Sequence, residues 1–100
     1  MNGAACVLKL PAVLTHAEAS SFALRLAQEV SNQPAEVVVD ASALRQFDSS
    51  ALAVLLECRR KALAVDKAFS VWAAPPRLIQ LAGVYGVREL IPAASAAPAL

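Results

Sequence analysis

The apolar positions at the start of the chain predict one or two short strands followed by a helix. Residues 5–14 are mostly apolar but are interrupted by Pro11, so we expect these strands at an edge of the sheet, where proline is tolerated. Thr15 and Glu18 have the spacing of a capping box, in which the threonine hydroxyl accepts a backbone N–H and the glutamate reaches back. The apolar residues that follow recur every three or four positions and predict the buried face of a helix: Ala19, Phe22, Ala23, Leu26, Ala27 and Val30.

Three consecutive valines, Val37 to Val39, indicate a strand that is buried on both faces. Such a run without polar alternation is typical of a central parallel strand covered by helices. After a turn anchored by Leu44 and Phe47, the segment Asp48-Ser49-Ser50 is expected to open a second helix that ends near Ala64. The core face of this helix is predicted to consist of four leucines: Leu52, Leu55, Leu56 and Leu63.

A third strand and a third helix complete the pattern. Residues 68–73 are mostly apolar and predict the strand, and Pro75-Pro76 is expected to start the helix, whose first turn tolerates proline. Residues 93–100 contain mostly alanine and proline and predict a flexible tail. The repeated order of strand and helix therefore predicts a single α/β domain over residues 1–92, with a small, mainly parallel mixed sheet and helices packed on it.

Composition and charge narrow the class of protein. Of the 100 residues, 58% are hydrophobic and 17% are charged, with a net charge of +1, so the chain can build one core and carries no basic footprint for nucleic acid. We find no apolar run of the ~18 residues that a membrane-spanning helix needs, and no pattern of a secretory signal. Cys6 and Cys58 lack metal-binding spacing, and we expect them to be reduced, buried residues of a cytosolic protein.

Signals for catalysis or for a bound metal are weak. His16 is the only histidine and is expected to be exposed in the first turn of its helix, and no spacing requires it to meet Ser49 or Ser50 as a catalytic triad would. Asp40 and Asp48 could be paired carboxylates of a catalytic or magnesium site, but bonding to turn amides and helix capping explain them more simply. We therefore expect a protein without enzymatic activity, cofactor or metal.

The segment Asp48-Ser49-Ser50 carries the candidate chemistry of the chain. It places two hydroxyls and a carboxylate at a helix N-terminus, where free N–H groups favour an anion. A phosphate on Ser49 would add a charge of about −1.5 to −2 there and change what the neighbouring surface can bind. Plain helix capping is the alternative explanation for these residues.

The outer face of the second helix is a candidate docking surface for another protein. On a helical wheel, four residues fall on the side away from Leu55 and Leu63: Ser50, Ala53, Val54 and Glu57. Ala53 and Val54 would then form a small exposed apolar patch beside the serines, unless another loop covers it. Glu57 and Lys61 are four residues apart and are predicted to pair on this outer face.

The run from Val37 to Asp40, together with Leu44 and the segment from Phe47 to Leu52, resembles the STAS domain, a family named for sulphate transporters and anti-sigma factor antagonists. Within this family, the chain is most similar to the small stand-alone STAS subunit of the Mla phospholipid-transport ABC system. Residues 51–56, a dense apolar helix with a basic end, and residues 81–87 carry that likeness.

The resemblance implies a cytoplasmic, non-enzymatic subunit that binds the ATPase of an ABC complex at the inner membrane of Gram-negative bacteria. That complex moves phospholipids between the two membranes and so maintains lipid asymmetry. Ser49 matches the family's functional hydroxyl, which lies at the ATPase interface in the Mla-type subunits. Asp48, Ser50, Ala53, Val54 and Glu57 are the expected contact surface around it.

Two other functions remain open for Ser49. In the anti-sigma factor antagonists this position is phosphorylated by an anti-sigma factor kinase, so the chain could be such an antagonist. Ser50 and Ala51 stand where many relatives carry glycine, and Thr15 stands where many carry aspartate. A small enzyme with Ser49 as nucleophile is the third possibility, but no residue pattern supplies the base that this needs.

Overall fold

The structure, a computed structural model, describes residues 6–31 and 36–94, and in this part of the chain strands alternate with helices. The five strands are β1 (Cys6–Lys9), β2 (Val13–Leu14), β3 (Glu36–Asp40), β4 (Gln46–Phe47) and β5 (Ala68–Trp72). The helices are α1 (His16–Ser31), α2 (Ser49–Ala64), α3 (Pro76–Val84) and a short 3-10 helix at Arg88–Leu90. The predicted α/β class and the predicted order of strands and helices are confirmed, except that β4 forms where the sequence predicted only a turn.

The larger sheet is parallel and has β3 at its centre, in the order β1-β3-β5. Val39 lies opposite Leu8 on one side and Val71 on the other. All three residues are buried in the main hydrophobic core. Strands β2 and β4 form a separate parallel pair. The central position predicted for the three valines and the edge position predicted for the first strand are therefore confirmed.

The central strand is buried on both of its faces. Val37 and Val39 belong to the main core. Val38 points to the opposite face, because side chains alternate along a strand, and it is only 5% exposed. Its neighbours on that face, Val7 and Ser70, are half-buried. The prediction from the valine run is confirmed for β3.

Helices α1 and α2 run parallel and pack along each other. Their first residues are held together by Asp48, whose carboxylate accepts the backbone N–H of His16 at 3.2 Å. Their ends are held together by Lys67, whose ammonium donates to the carbonyl of Val30 at 2.6 Å. A carboxylate at helix N-termini and an ammonium at a helix C-terminus both have the sign that the helix dipole favours.

The start of α1 differs in detail from the predicted capping box. The Thr15 N–H donates to the Glu18 carboxylate at 2.9 Å, as expected. The Thr15 hydroxyl was predicted to accept a backbone N–H, which is wrong, because it donates to the same carboxylate oxygen at 2.7 Å. An ionised carboxylate accepts hydrogen bonds only, and a hydroxyl that donates to it makes a stronger, charge-assisted bond.

The last described residues extend the larger sheet at its β5 edge. Ala93 forms a parallel bridge with Val71, and the Ala94 N–H donates to the Val71 carbonyl at 2.8 Å. These two residues of the predicted tail thus take part in the sheet, while residues 95–100 lie outside the described part.

Among the described residues, no helix is both long and apolar enough to cross a membrane.

Candidate functional site

Asp48 is the N-cap of α2 and holds the segment that carries Ser49. Its backbone is extended, with φ −130 and ψ −164, and its carboxylate accepts the Ser50 N–H at 2.8 Å. The hydrogen bond from Ser50, and after it the one from His16, keeps the pKa of Asp48 below the ordinary aspartate value. The predicted capping role of Asp48 is therefore confirmed, and the carboxylate stays ionised in the folded protein.

The two serines after Asp48 have different environments. Ser49 is exposed, and within the described residues its hydroxyl makes no hydrogen bond. Ser50 is half-buried, and its N–H is occupied by Asp48. Of the two hydroxyls, the one on Ser49 is the more accessible to another molecule.

Ser49 opens into an apolar groove of about 300 Å³ between α2 and the end of α3. We call this the Ser49 groove, and define it by its six lining residues: Ser49, Leu52, Ala53, Leu56, Tyr85 and Val87. None of these side chains carries a full charge at neutral pH. The groove can therefore receive an apolar side chain but offers no cation or carboxylate to a charged ligand.

The wall of the groove formed by α2 follows from helix periodicity. Ser49, Ala53 and Leu56 lie at successive turns on one side of the helix, because residues four and three positions apart are neighbours on a helix surface. Leu63 continues the same side one heptad after Leu56 and is 48% exposed. The prediction that Leu63 belongs to the core face is wrong, because this side of α2 faces the groove and the solvent rather than the sheet.

The opposite wall is formed by the turn that follows α3. Tyr85 is the C-cap of α3, and its N–H donates to the Leu81 carbonyl at 3.1 Å. Gly86 has a φ of +73, which is the left-handed conformation that glycine adopts without steric cost. This reversal lets the Val87 N–H bond to the Ala82 carbonyl at 2.9 Å, and it brings Val87 back to the groove.

The structure brings only part of the predicted contact surface together. Ser49 and Ala53 line the Ser49 groove, with Asp48 and Ser50 directly beside it. Val54 was predicted to be exposed, which is wrong, because its exposed fraction is 2%. Glu57 does not line the groove but lies on the side of α2 that faces α1.

The burial of Val54 follows from the position of α1. Glu57 and Lys61 line a surface hollow together with Ser20 and Leu24 of α1, so this side of α2 faces α1. Val54 lies one turn before Glu57 on the same side. Helix α2 is therefore covered on two sides, by the sheet and by α1, whereas the helical wheel assumed one covered side.

Glu57 forms its ion pair with Arg60 and not with Lys61. The Arg60 guanidinium donates to both carboxylate oxygens of Glu57, at 3.1 and 2.7 Å. The predicted pair with Lys61 is wrong, because the planar guanidinium makes a two-pronged bond to a carboxylate that a lysine ammonium cannot make. Lys61 acts on Glu57 only as a more distant charge that also lowers its pKa.

Four groove residues were not predicted as site residues: Leu52, Leu56, Tyr85 and Val87. Leu52 and Leu56 were assigned to the core, and of these Leu52 is buried and Leu56 is half-buried. The sequence does contain one signal for the other two, since Gly83 and Gly86 flank Val84-Tyr85 and indicate a turn there. The contact between this turn and the start of α2 depends on how α3 packs, and no local sequence pattern predicts that packing.

Groups suited to catalysis or metal binding are not assembled around Ser49 in the described residues. His16 meets Asp48 through its backbone, and its imidazole makes no hydrogen bond to Ser49 or Ser50 in this part of the chain. Asp40 accepts the Ser42 N–H at 2.9 Å, which is the predicted turn contact. Within residues 6–31 and 36–94, no group of three or more histidine, cysteine or acidic side chains could hold a metal ion.

Comparison with known protein families identifies the family of the chain. A family model described as "Mlab, STAS domain" matches residues 1–92. The matched range contains β1 to β5, the three α-helices and the 3-10 helix, and thus both walls of the Ser49 groove. No curated protein matches the chain.

Proposed function

Since the chain belongs to the STAS domain family, we propose that it is the STAS subunit of a phospholipid-transport ABC complex, where it binds the ATPase subunit and supports its assembly and activity. STAS domains are protein-interaction and regulatory modules, and in this proposal the chain performs no catalysis itself. The observation that carries the proposal is the exposed, unbonded Ser49 hydroxyl at the mouth of an apolar groove.

The chemistry of the Ser49 groove favours a protein partner over a lipid. Its volume of about 300 Å³ is at the lower limit for small-molecule sites, and a phospholipid with two acyl chains is larger than such sites hold. The lining offers no arginine or lysine for a headgroup phosphate. An apolar side chain on a helix of the partner suits the groove, as in other helix-in-groove contacts.

The proposed contact surface combines the groove with its polar rim. Ala53 contributes the small side chain that leaves the groove open, and Asp48 and Ser50 border Ser49. Glu57, which is held by Arg60, lies at the side of this surface nearest α1. Bound in this way, the chain would be held at the inner membrane through its partner, on the cytoplasmic side.

The proposal predicts that Ser49→Arg weakens complex formation without unfolding the domain. Ser49 is exposed at the first position of α2, so arginine fits the fold, but its long side chain and charge would occupy the mouth of an apolar groove. We expect at least a ~10-fold loss of affinity for the ATPase subunit of the same organism's phospholipid-transport complex, measured by co-purification and by isothermal titration calorimetry.

Ser21→Arg is the matched control for this experiment. Ser21 is also an exposed helix serine, but it lies on α1 and lines neither the Ser49 groove nor the hollow that contains Glu57. This variant is expected to bind the ATPase as the wild type does. Equal binding of the wild type and Ser49→Arg would refute the proposed contact surface.

An anti-sigma factor antagonist is the second candidate function, and the accessibility of the Ser49 hydroxyl favours it. A phosphate on Ser49 would stand at the N-terminus of α2, where the helix dipole favours negative charge. Incubation with a cognate anti-sigma factor kinase and ATP, followed by mass spectrometry, would then yield a phosphopeptide containing Ser49. If a kinase that is active on its own substrate leaves Ser49 unmodified, the transporter function is the better supported one.

A further inference from the structure

Tyr85 is an exposed aromatic residue whose polar group has no partner in the described part of the chain. It is 60% exposed and lines the Ser49 groove opposite Ser49 and Ala53. Its phenol makes no hydrogen bond within residues 6–31 and 36–94. An aromatic ring that is exposed beside an apolar groove gains more from burial against a partner than any other residue of the groove.

The backbone around Tyr85 is fixed before any partner arrives. The N–H groups of Tyr85, Gly86 and Val87 are all bonded to carbonyls of α3, at distances of 2.9 to 3.1 Å. Binding would therefore immobilise only the two side-chain torsions of the tyrosine, which is a small entropic cost for a large contact area.

We propose that Tyr85 is the main anchor residue of the contact with the ATPase subunit, which rests on the function proposed above. Its ring packs against an apolar side chain of the partner that enters the groove over Ala53, and its phenol donates a hydrogen bond to a carbonyl oxygen of the same partner segment. The acceptor is a neutral carbonyl and not a carboxylate, because the groove lining offers no cation to compensate a buried negative charge.

The neighbouring Val84 provides the matched control. It is 80% exposed, which is more than Tyr85, but it does not line the Ser49 groove. If exposure of apolar surface alone governed binding, the two residues would matter equally. If the groove governs binding, only Tyr85 matters.

The experiment measures the affinity of the purified chain for the purified ATPase subunit by isothermal titration calorimetry, with the fold of each variant checked by circular dichroism. We expect Tyr85→Ala to weaken binding by about 30-fold or more, the loss that defines an interface hot spot. Tyr85→Phe, which keeps the ring and removes the phenol, should weaken it by about 2- to 10-fold, as loss of one hydrogen bond does. Val84→Ala should change it by less than ~2-fold.

The outcomes separate this inference from the proposed function. Weak binding of Ser49→Arg together with normal binding of Tyr85→Ala would overturn the anchor role and leave the contact surface in place. An equal loss in Tyr85→Ala and Val84→Ala would also overturn it. If the wild-type chain does not bind the ATPase at all, the proposed function and the inference both fail.

Discussion

At the scale of single residues, one carboxylate serves two helices. Asp48 accepts the Ser50 N–H at the start of α2 and the His16 N–H at the start of α1. The first N–H groups of a helix have no partner within the helix, so these two bonds satisfy donors that would otherwise depend on water. Asp48 thus stabilises the position of Ser49, because it is bonded both to the next residue of α2 and to the first residue of α1.

We expect Asp48→Ala to lower the urea midpoint of unfolding more than Asp48→Asn does. Asparagine keeps an oxygen that can cap α2 at the Ser50 N–H, but its amide group cannot accept the second bond from His16 as a carboxylate oxygen can. Glu29→Ala, at an exposed position of α1, is the control. Identical midpoints for Asp48→Ala and this control would show that the two bonds do not stabilise the fold.

Acid should destabilise the protein through the same groups. Hydrogen bonds lower the pKa of Asp48, mainly from the Ser50 N–H, and that of Glu18, mainly from Thr15. A carboxyl whose pKa is lower in the folded state than in the unfolded state contributes stability that is present above the unfolded pKa and is lost as the pH falls through the folded one. The free energy of unfolding should therefore decrease as the pH is lowered below about 4.5. Its dependence on pH should be weaker in Asp48→Asn. Urea titrations between pH 3 and 7 would check both expectations.

At the scale of secondary-structure elements, α2 shows what the sequence can predict. Its start at Asp48-Ser49-Ser50 and its end near Ala64 are encoded locally, by a capping residue and a run of helix-forming residues, and both predictions are confirmed. Which sides of α2 are buried depends on neighbours that are distant in sequence. The prediction from the helical wheel was therefore wrong for Val54, which α1 covers. It was also wrong for Leu63, which nothing in the described residues buries fully.

The same distinction applies to the candidate site. Ser49 and Ala53 could be found from their positions on α2, whereas Tyr85 and Val87 reach the groove only through the packing of α3. The partner of Glu57 in its ion pair could not be predicted from the sequence either. Both Arg60 and Lys61 lie within about one turn of Glu57, and the choice between them depends on side-chain geometry.

Substitutions at Val54 and Ala53 test this two-sided burial of α2. Val54→Ala removes buried methyl groups and should lower the free energy of unfolding by about 1–3 kcal/mol. Ala53→Ser, at the adjacent exposed position, should change it by less than about 0.5 kcal/mol. Urea denaturation followed by circular dichroism measures both. Similar small effects at the two positions would contradict the buried position of Val54.

At the scale of the whole molecule, the hydrophobic core of the described residues joins the parallel sheet to the helices. The core cluster includes residues of β1, β3 and β5 as well as residues of all three α-helices, for example Val39, Leu26, Leu55 and Leu78. Domains with one continuous core of this size usually unfold in one cooperative step. The low charge and high alanine content of the chain are consistent with helices that pack closely on a small sheet.

Unfolding should therefore be a two-state transition. Trp72, the only tryptophan, lies at the end of β5 on the sheet, and its fluorescence should change at the same urea concentration as the helical circular dichroism signal. Leu55→Ala, at a fully buried position of α2, should shift both signals together and cost about 2–5 kcal/mol. Separate transitions for the two signals would show that the sheet and the helices unfold independently.

The two hydrogen bonds that join α1 and α2 near their ends also limit how the domain can move. Sliding one helix past the other by one turn, about 5.4 Å, would break the contact of Asp48 with His16 and that of Lys67 with Val30 at once. Shear between packed helices is one of the common ways in which proteins transmit a signal, and this helix pair is held against it at both ends. A partner that binds in the Ser49 groove is therefore expected to displace α1 and α2 together rather than to slide one helix along the other.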